Sequence, residues 1–139
     1  MKIQYPAKIE HQEPSGYLVT FPDIKEAFTE GQSIEEALFN ASEVLSGILE
    51  YKIENNEQIK DPSEADTENC YMIAPDIAIQ STLLVHKTRG KKSMAELARA
   101  LDTSWPSAQR LENPKYPPTL KRLDKAATAL GKKLVLNFE

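Results

Sequence analysis

Residues 93–112, SMAELARALDTSWPSAQRLE, decide the fold of the C-terminal half of this chain. Ser93 and Glu96 form a capping box that predicts the start of one short helix. After a tight turn, Ser104 can cap a second helix, and Pro106 is tolerated in its first turn because the first amides of a helix have no partner within it. Each helix has a small apolar side, formed by Leu97, Ala98 and Leu101 in the first and by Ala108 and Leu111 in the second. The pattern predicts a helix-turn-helix.

The outer side of the second helix is polar, as expected of a helix that enters the major groove of DNA. Gln109 and Arg110 carry the side chains that suit adenine and guanine edges. Basic and hydroxyl side chains flank the helices and can bind phosphates. The predicted DNA-binding residues are therefore Lys91, Lys92, Ser93, Trp105, Ser107, Gln109, Arg110 and Lys115.

Residues 93–130 resemble the Xre/lambda-repressor-like helix-turn-helix family. The resemblance is carried by Ala95-Glu96-Leu97-Ala98, Ser104, Arg110-Leu111-Glu112-Asn113, Pro118-Thr119-Leu120, Leu123 and Ala129-Leu130-Gly131. Met94, Trp105 and Pro114 stand where the family often has Gln, Gln and Gly, so its sequence preference cannot be transferred to this chain. The family implies an operator as the ligand, and a helical bundle without a DNA role is the alternative.

The two halves of the chain carry opposite charge. Residues 1–82 contain 16 acidic and 5 basic side chains, a net charge of −11, whereas residues 83–139 contain 5 acidic and 12 basic ones, a net charge of +7. A basic half is a candidate for binding a polyanion. An acidic half suits a basic protein partner.

The N-terminal half predicts strands and one long helix. Alternating apolar residues over 1–9, and the short runs 17–21, 27–30 and 70–74, predict four strands. Pro6 cannot donate a ladder hydrogen bond, so we expect the first strand at an edge of the sheet. A capping box at Ser33–Glu36 starts a helix of about five turns that ends at Asn55-Asn56. Residues 59–69 are polar and predict an exposed loop.

Three motifs of this half occur in a characteristic order: Gly16-Tyr17 and the strand to Ile24 with its Pro-Asp turn, then Phe28-Thr29-Glu30-Gly31, then the helix start Ser33–Leu38. Together they resemble the HicB antitoxin family. The resemblance implies a partly RNase H-like fold and a partner, a HicA-like toxin that cleaves RNA and is blocked by the antitoxin. We assign the toxin contact to Tyr17, Phe21, Asp23 and Phe28. Members of the family with a C-terminal Xre-like domain match the whole chain.

The predicted architecture is α+β, with two domains that meet at Pro75-Asp76. Residues 1–75 form a small antiparallel sheet with one long helix and bind the toxin. Residues 76–139 form an all-α helix-turn-helix domain with helices over 77–88, 93–101, 105–112 and 119–130. The chain ends in an alternating segment, 133–138, whose apolar members are Leu134, Leu136 and Phe138. We expect this stripe to pair with its counterpart in a homodimer or tetramer, or to close the core beside a dimer interface.

Other functions are weakly supported by the sequence. One cysteine, Cys70, and two distant histidines predict no disulfide and no metal site, and we expect no cofactor and no enzymatic activity. Asp23 and Glu36 leave open a metal-dependent RNase H-like nuclease, although a Pro-Asp turn explains Asp23 better. A repressor whose N-terminal half senses a small molecule is a second alternative. The chain has no apolar run able to span a bilayer and no apolar core of a signal peptide, so we expect a cytoplasmic protein without membrane contact.

Overall fold

The computed structural model describes residues 1–64 and 70–139, and its architecture is mixed α+β. Contacts divide the chain into two compact units, residues 1–79 and residues 80–139. The division lies four residues beyond the predicted boundary, inside a helix. Residues 65–69 of the predicted loop lie outside the described residues.

The first unit contains a four-stranded antiparallel sheet, as the sequence predicts. The strands are β1 (Tyr5–His11), β2 (Tyr17–Thr20), β3 (Phe28–Gly31) and β4 (Cys70–Ile73), and their order across the sheet is β3-β2-β1-β4. Gly16, which precedes β2, has a φ of +93°, a backbone conformation that glycine adopts without steric cost.

The expectation that β1 is an edge strand is wrong, because β1 lies between β2 and β4. Pro6 is nevertheless compatible with this place. The β1–β2 register runs from Lys8 to His11, and only β4 pairs beside Pro6, through Met72. The missing N–H therefore interrupts no bond on the β2 side.

One long helix, α1 (Ile34–Glu54), packs against the sheet. The Ser33 hydroxyl accepts a hydrogen bond from the Glu36 amide at 3.1 Å, which confirms the predicted cap. The start of α1 approaches β3 so closely that a Cβ on Gly31 would lie 2.5 Å from the Ala37 nitrogen. The core of the first unit joins this helix to the sheet; it includes Tyr5, Ala7, Val19, Phe21, Ile24, Ala37, Ala41, Leu45, Leu49 and Ile73.

Two serines of α1 hold the segment that follows β4. The Ser42 hydroxyl donates to the Ala74 carbonyl at 2.8 Å, and the Asp76 amide donates to the Ser46 hydroxyl at 2.8 Å. Ser46 is buried, so these bonds satisfy polar groups that water cannot reach easily.

The second unit is helical. Its elements are α2 (Ile77–Arg89), which crosses the division between the units, α3 (Met94–Ala100), α4 (Trp105–Gln109), a 3₁₀ turn (Arg110–Glu112) and α5 (Leu120–Ala129). The core cluster consists of Val85, Leu97, Ala98, Ala108, Leu111, Ala126 and Leu130. In the part of the chain that the structure describes, no helix is both long and apolar enough to cross a membrane.

One prediction for this unit differs from the structure. The expected helix 105–112 is a five-residue α-helix completed by a 3₁₀ turn, because Asn113 adopts an extended conformation before Pro114. The alternating segment 133–138 lies in neither a helix nor a strand. Leu136 and Phe138 are exposed, and Leu134 is half-buried.

Candidate functional site

Helices α3 and α4 are joined by a tight turn, and small residues let them approach closely. Ala98 and Ala108 are both in the buried cluster, together with Leu97 and Leu111. Asp102 has a φ of +51°, a left-handed conformation that Asp tolerates better than most residues. The Thr103 amide donates to the Ala98 carbonyl at 3.0 Å and closes the turn. The arrangement leaves the side of α4 opposite the cluster on the surface.

Most of the predicted DNA-binding residues lie on the surface. The exposed ones are Lys91, Lys92, Ser93, Trp105, Gln109, Arg110 and Lys115, whereas Ser107 is half-buried. Ser93 also serves as the N-cap of α3, since its hydroxyl accepts from the Glu96 amide at 3.1 Å. Ser104 caps α4 in the same way, through the Ser107 amide at 3.2 Å.

Ser107 is held from α5. The Arg122 guanidinium donates to the Ser107 carbonyl at 3.0 Å and to its hydroxyl at 2.8 Å. Ser107 is among the predicted DNA-binding residues, and its hydroxyl oxygen accepts from Arg122, which leaves its O–H as the group that could bind a phosphate. Sequence reasoning missed Arg122, because 15 residues separate the partners and no local motif joins them.

A shielded ion pair fixes the end of the 3₁₀ turn to α2. Arg89 donates to both carboxylate oxygens of Glu112, at 2.5 Å and 3.0 Å, and to the Lys92 carbonyl at 2.7 Å. His86 adds a hydrogen bond of 2.6 Å to the same carboxylate. The hydrogen bond to Glu112 is the largest cause of the raised pKa of Arg89, and burial opposes it. The pair connects α2, the loop before α3 and the turn after α4.

Arg110 differs from Arg89 and Arg122 in how its guanidinium is held. Its central carbon lies 5.3 Å from the centroid of the Tyr116 ring, within cation–π range. Within residues 1–64 and 70–139, no hydrogen bond or ion pair involves this guanidinium. Its N–H donors therefore remain available to a ligand.

The four residues assigned to toxin contact in the first unit lie in different surroundings. Phe28 is 64% exposed on β3, an edge strand of the sheet. Tyr17 is half-buried, and the centroids of its ring and the His11 ring lie 5.3 Å apart in a T-shaped arrangement. Phe21 is only 2% exposed and belongs to the core, so a partner at the surface does not meet its side chain.

Asp23 lies in the predicted turn, and its carboxylate is used inside the unit. One carboxylate oxygen accepts from the Ser63 amide and hydroxyl, both at 2.9 Å, and Lys60 lies 3.6 Å from the other. The side chain is 3% exposed. Asp23 thus anchors the segment 60–63. In the described ranges, no group of three or more His, Cys, Asp or Glu side chains could hold a metal ion.

Tyr5 anchors the same segment from the core. Its hydroxyl donates to the Lys60 carbonyl at 2.7 Å. Burial raises the pKa of Tyr5 to about 12, with smaller contributions from Asp61 and Asp23. The phenol is therefore a neutral donor at physiological pH.

Further large apolar side chains are exposed on the first unit and were not among the predicted contacts. They are Phe39, Tyr51, Tyr71, Met72 and Ile77. A signal for two of them exists in the sequence, because Phe39 and Tyr51 fall outside the apolar stripe of α1. Single exposed aromatic residues are common on protein surfaces and do not by themselves indicate a binding site.

Comparison with known proteins gives a family match for the first unit. The family model described as "HicB_like antitoxin of bacterial toxin-antitoxin system" matches residues 4–80.

Two curated relatives extend the similarity over both units. "Antitoxin HicB 2" of Photorhabdus laumondii is 37% identical over 137 residues, covering 96% of this chain and 95% of the relative. "Antitoxin HicB" of Escherichia coli strain K12 is 30% identical over 135 residues, covering 96% of this chain and 98% of the relative. A solved structure, "Crystal structure of the Burkholderia Pseudomallei antitoxin HicB", is similar to 78% of this chain and 91% of that one, with a TM-score of 0.48 and 17% identity.

Proposed function

We propose, from the premise that this chain belongs to the HicB-like antitoxin family of bacterial toxin–antitoxin systems, that it neutralises a HicA-like ribonuclease toxin and represses its own operon. The observation that carries the proposal is the 37% identity to an antitoxin over 96% of the chain, because it includes the basic helical unit as well as the acidic one. The protein acts by binding the toxin and operator DNA and is not an enzyme.

The first unit binds the toxin. Its net charge of −11 suits a basic, RNA-binding partner, since complementary charge steers association and suppresses wrong partners. Phe28 supplies an exposed aromatic ring on an edge strand, the kind of side chain that dominates binding energy at interfaces. Tyr17 lies on the neighbouring strand but on the opposite face of the sheet, because Phe28 pairs with Thr20, so in this proposal the toxin contacts the two rings separately. Asp23 and Phe21 support this unit from within, through the 60–63 segment and the core.

The second unit binds operator DNA through the helix pair α3–α4. In this proposal α4 lies in the major groove, Gln109 and Arg110 read bases, and Trp105 contacts the groove. Lys91, Lys92, Ser93 and Lys115 bind phosphates. The net charge of the unit, +7, supports contact with a polyanion, although Arg89 and Arg122 are committed to internal partners.

We propose that the protein is a homodimer or tetramer in the cytoplasm. Helix-turn-helix repressors bind half-sites about 34 Å apart, which requires two copies of the reading unit. Leu136 and Phe138 are exposed at the end of the chain, where pairing with a second copy would cover them. Light scattering on the purified chain measures this assembly.

One experiment in cells tests both roles of the full chain. The cells carry a HicA-like toxin gene under an inducible promoter, and the promoter of this chain's own gene fused to a reporter. Wild-type protein should restore growth and silence the reporter. Phe28→Ser should restore growth poorly, and Phe39→Ser, which changes an equally exposed ring, is its matched control. Lys92→Ala should weaken silencing, and Lys25→Ala on the acidic unit is its control.

Two outcomes would contradict the proposal separately. If wild-type protein fails to rescue growth despite soluble expression, the antitoxin role is wrong. If it rescues growth while the reporter remains fully active, the second unit is not a repressor of this operon.

A further inference from the structure

Tyr116 lies in the loop between the 3₁₀ turn and α5, and the loop is tightly defined. The Tyr116 amide donates to the Asn113 carbonyl at 3.0 Å, and the Asn113 amide donates to the Arg110 carbonyl at 3.1 Å. Pro117 and Pro118 follow, and each has a fixed φ. The Tyr116 ring is therefore presented beside Arg110 from a backbone with little freedom.

Folding gives no strong reason for this pair. Tyr116 is 53% exposed and Arg110 is exposed as well, so neither side chain fills the core. A cation–π contact at an exposed site contributes little to stability. The contact instead determines how the guanidinium of Arg110 is oriented.

The orientation matters because the guanidinium plane must be aligned with the plane of the guanine base for both hydrogen bonds to form. Arginine binds the O6 and N7 atoms of guanine with two N–H donors that lie in the plane of the guanidinium. A ring 5.3 Å from the guanidinium carbon limits the rotamers of a long side chain, while the N–H donors keep no hydrogen-bond partner among the described residues. A side chain ordered before binding loses less entropy on binding.

We infer that Tyr116 is a positioning residue that holds Arg110 for recognition of a guanine and so sets the sequence preference of the second unit. The inference rests on the proposed DNA-binding function and adds a residue outside the two helices that contact DNA. Arg89 and Arg122 are less suited to this role, because all three side-chain nitrogens of Arg89 donate to Glu112 or Lys92, and Nη2 of Arg122 donates to Ser107.

The test uses the full chain and a pool of randomised DNA duplexes. Wild-type protein selects its preferred sequence from the pool, and binding of that duplex and of single-base variants is then measured by fluorescence anisotropy. Tyr116→Leu should reduce the preference for one guanine about two- to fivefold, the size expected for an exposed cation–π contact. Tyr116→Phe should retain the preference because the ring remains. Tyr51→Leu, at an exposed tyrosine of the first unit, is the matched control.

Coupling to Arg110 separates positioning from a contact made by Tyr116 itself. In the Arg110→Ala background, Tyr116→Leu should have no further effect on the preference. Thermal unfolding followed by the fluorescence of Trp105, the only tryptophan, checks that each variant folds.

Three results would overturn the inference and leave DNA binding intact: an unchanged preference in Tyr116→Leu, a loss in Tyr116→Phe, or an equal loss with and without Arg110. If wild-type protein selects no sequence from the pool, the DNA-binding part of the proposed function fails as well.

Discussion

The two units of this protein differ in the contacts that stabilise each one internally. In the first, a long helix covers a sheet and buries a broad apolar face, and its ion pair between Glu26 and Lys52 lies at the surface, with the Glu26 side chain 51% exposed. In the second, a small apolar cluster joins short helices, and the ion pair between Arg89 and Glu112 is shielded from water. We therefore expect loss of the shielded pair to cost more free energy of unfolding than loss of the exposed one.

This difference changes how the charge of the second unit should be interpreted. Arg89 and Arg122 count toward its net charge of +7, yet both are bonded within the unit. The Arg110 guanidinium instead lies 5.3 Å from the centroid of the Tyr116 ring and makes no hydrogen bond to the described residues. Net charge suggests the class of partner, while the internal hydrogen bonds decide which cations can reach it.

The largest expected effect comes from a cavity in either core. Leu45→Ala in the first unit and Leu111→Ala in the second remove side chains that are 0% and 2% exposed, and each should cost about 3–5 kcal/mol. If the units are independent, each substitution lowers the melting temperature of its own unit. Trp105 fluorescence reports the second unit, and far-ultraviolet circular dichroism reports both.

A shift of the Trp105 transition in Leu45→Ala as large as that in Leu111→Ala would show that the units unfold together. The two units would then be parts of one cooperative structure.

The next effect contrasts the two ion pairs. Glu112→Gln leaves Arg89 shielded and without its counter-charge, and should destabilise the second unit by about 2–3 kcal/mol. Glu26→Gln is the matched substitution in the first unit and should cost below about 1 kcal/mol, because an exposed pair contributes little. Urea unfolding of both variants measures the difference.

High salt should affect the costs of these two substitutions differently. The small effect of Glu26→Gln should shrink further in 1 M salt, where the Debye length is about 3 Å, whereas the effect of Glu112→Gln should largely persist. Equal costs for the two substitutions would mean that water reaches Glu112 as freely as Glu26.

An effect somewhat smaller than that of Glu112→Gln depends on alkaline pH. Because the pKa of Tyr5 is raised from 10.0 to about 12 in the folded state, the unfolded state loses this proton first as the pH rises. The stabilisation is complete below pH 10 and is lost as the pH approaches 12, by about 2 kcal/mol. The free energy of unfolding, measured across this pH range, should fall more steeply for wild-type protein than for Tyr5→Phe. Parallel curves would contradict the raised pKa.

Local signals in the sequence determined most of the secondary structure. The caps at Ser33, Ser93 and Ser104 are where the sequence predicts them, because a cap depends on residues only three positions apart. The four strands and the long helix follow from their apolar periodicity in the same way. The predicted surface of α4 is likewise exposed, apart from Ser107.

The places where prediction differed from the structure depend on distant residues. Pro6 suggested an edge strand, yet β4 returns from a point more than sixty positions along the chain to pair with β1. Asp23 was assigned to the toxin surface, and Ser63, 40 positions away, occupies its carboxylate. The apolar periodicity of a sequence reflects near neighbours only, so it cannot predict such long-range pairings.

The sequence by itself therefore determined the elements, the opposite charges of the two halves and the family. Only the tertiary structure decided which polar side chains are used to hold the units and which remain open to a ligand. The physical reason is that capping and helical or strand periodicity act between near neighbours, whereas Arg122 meets Ser107, and Arg89 meets Glu112, only after the helices have packed.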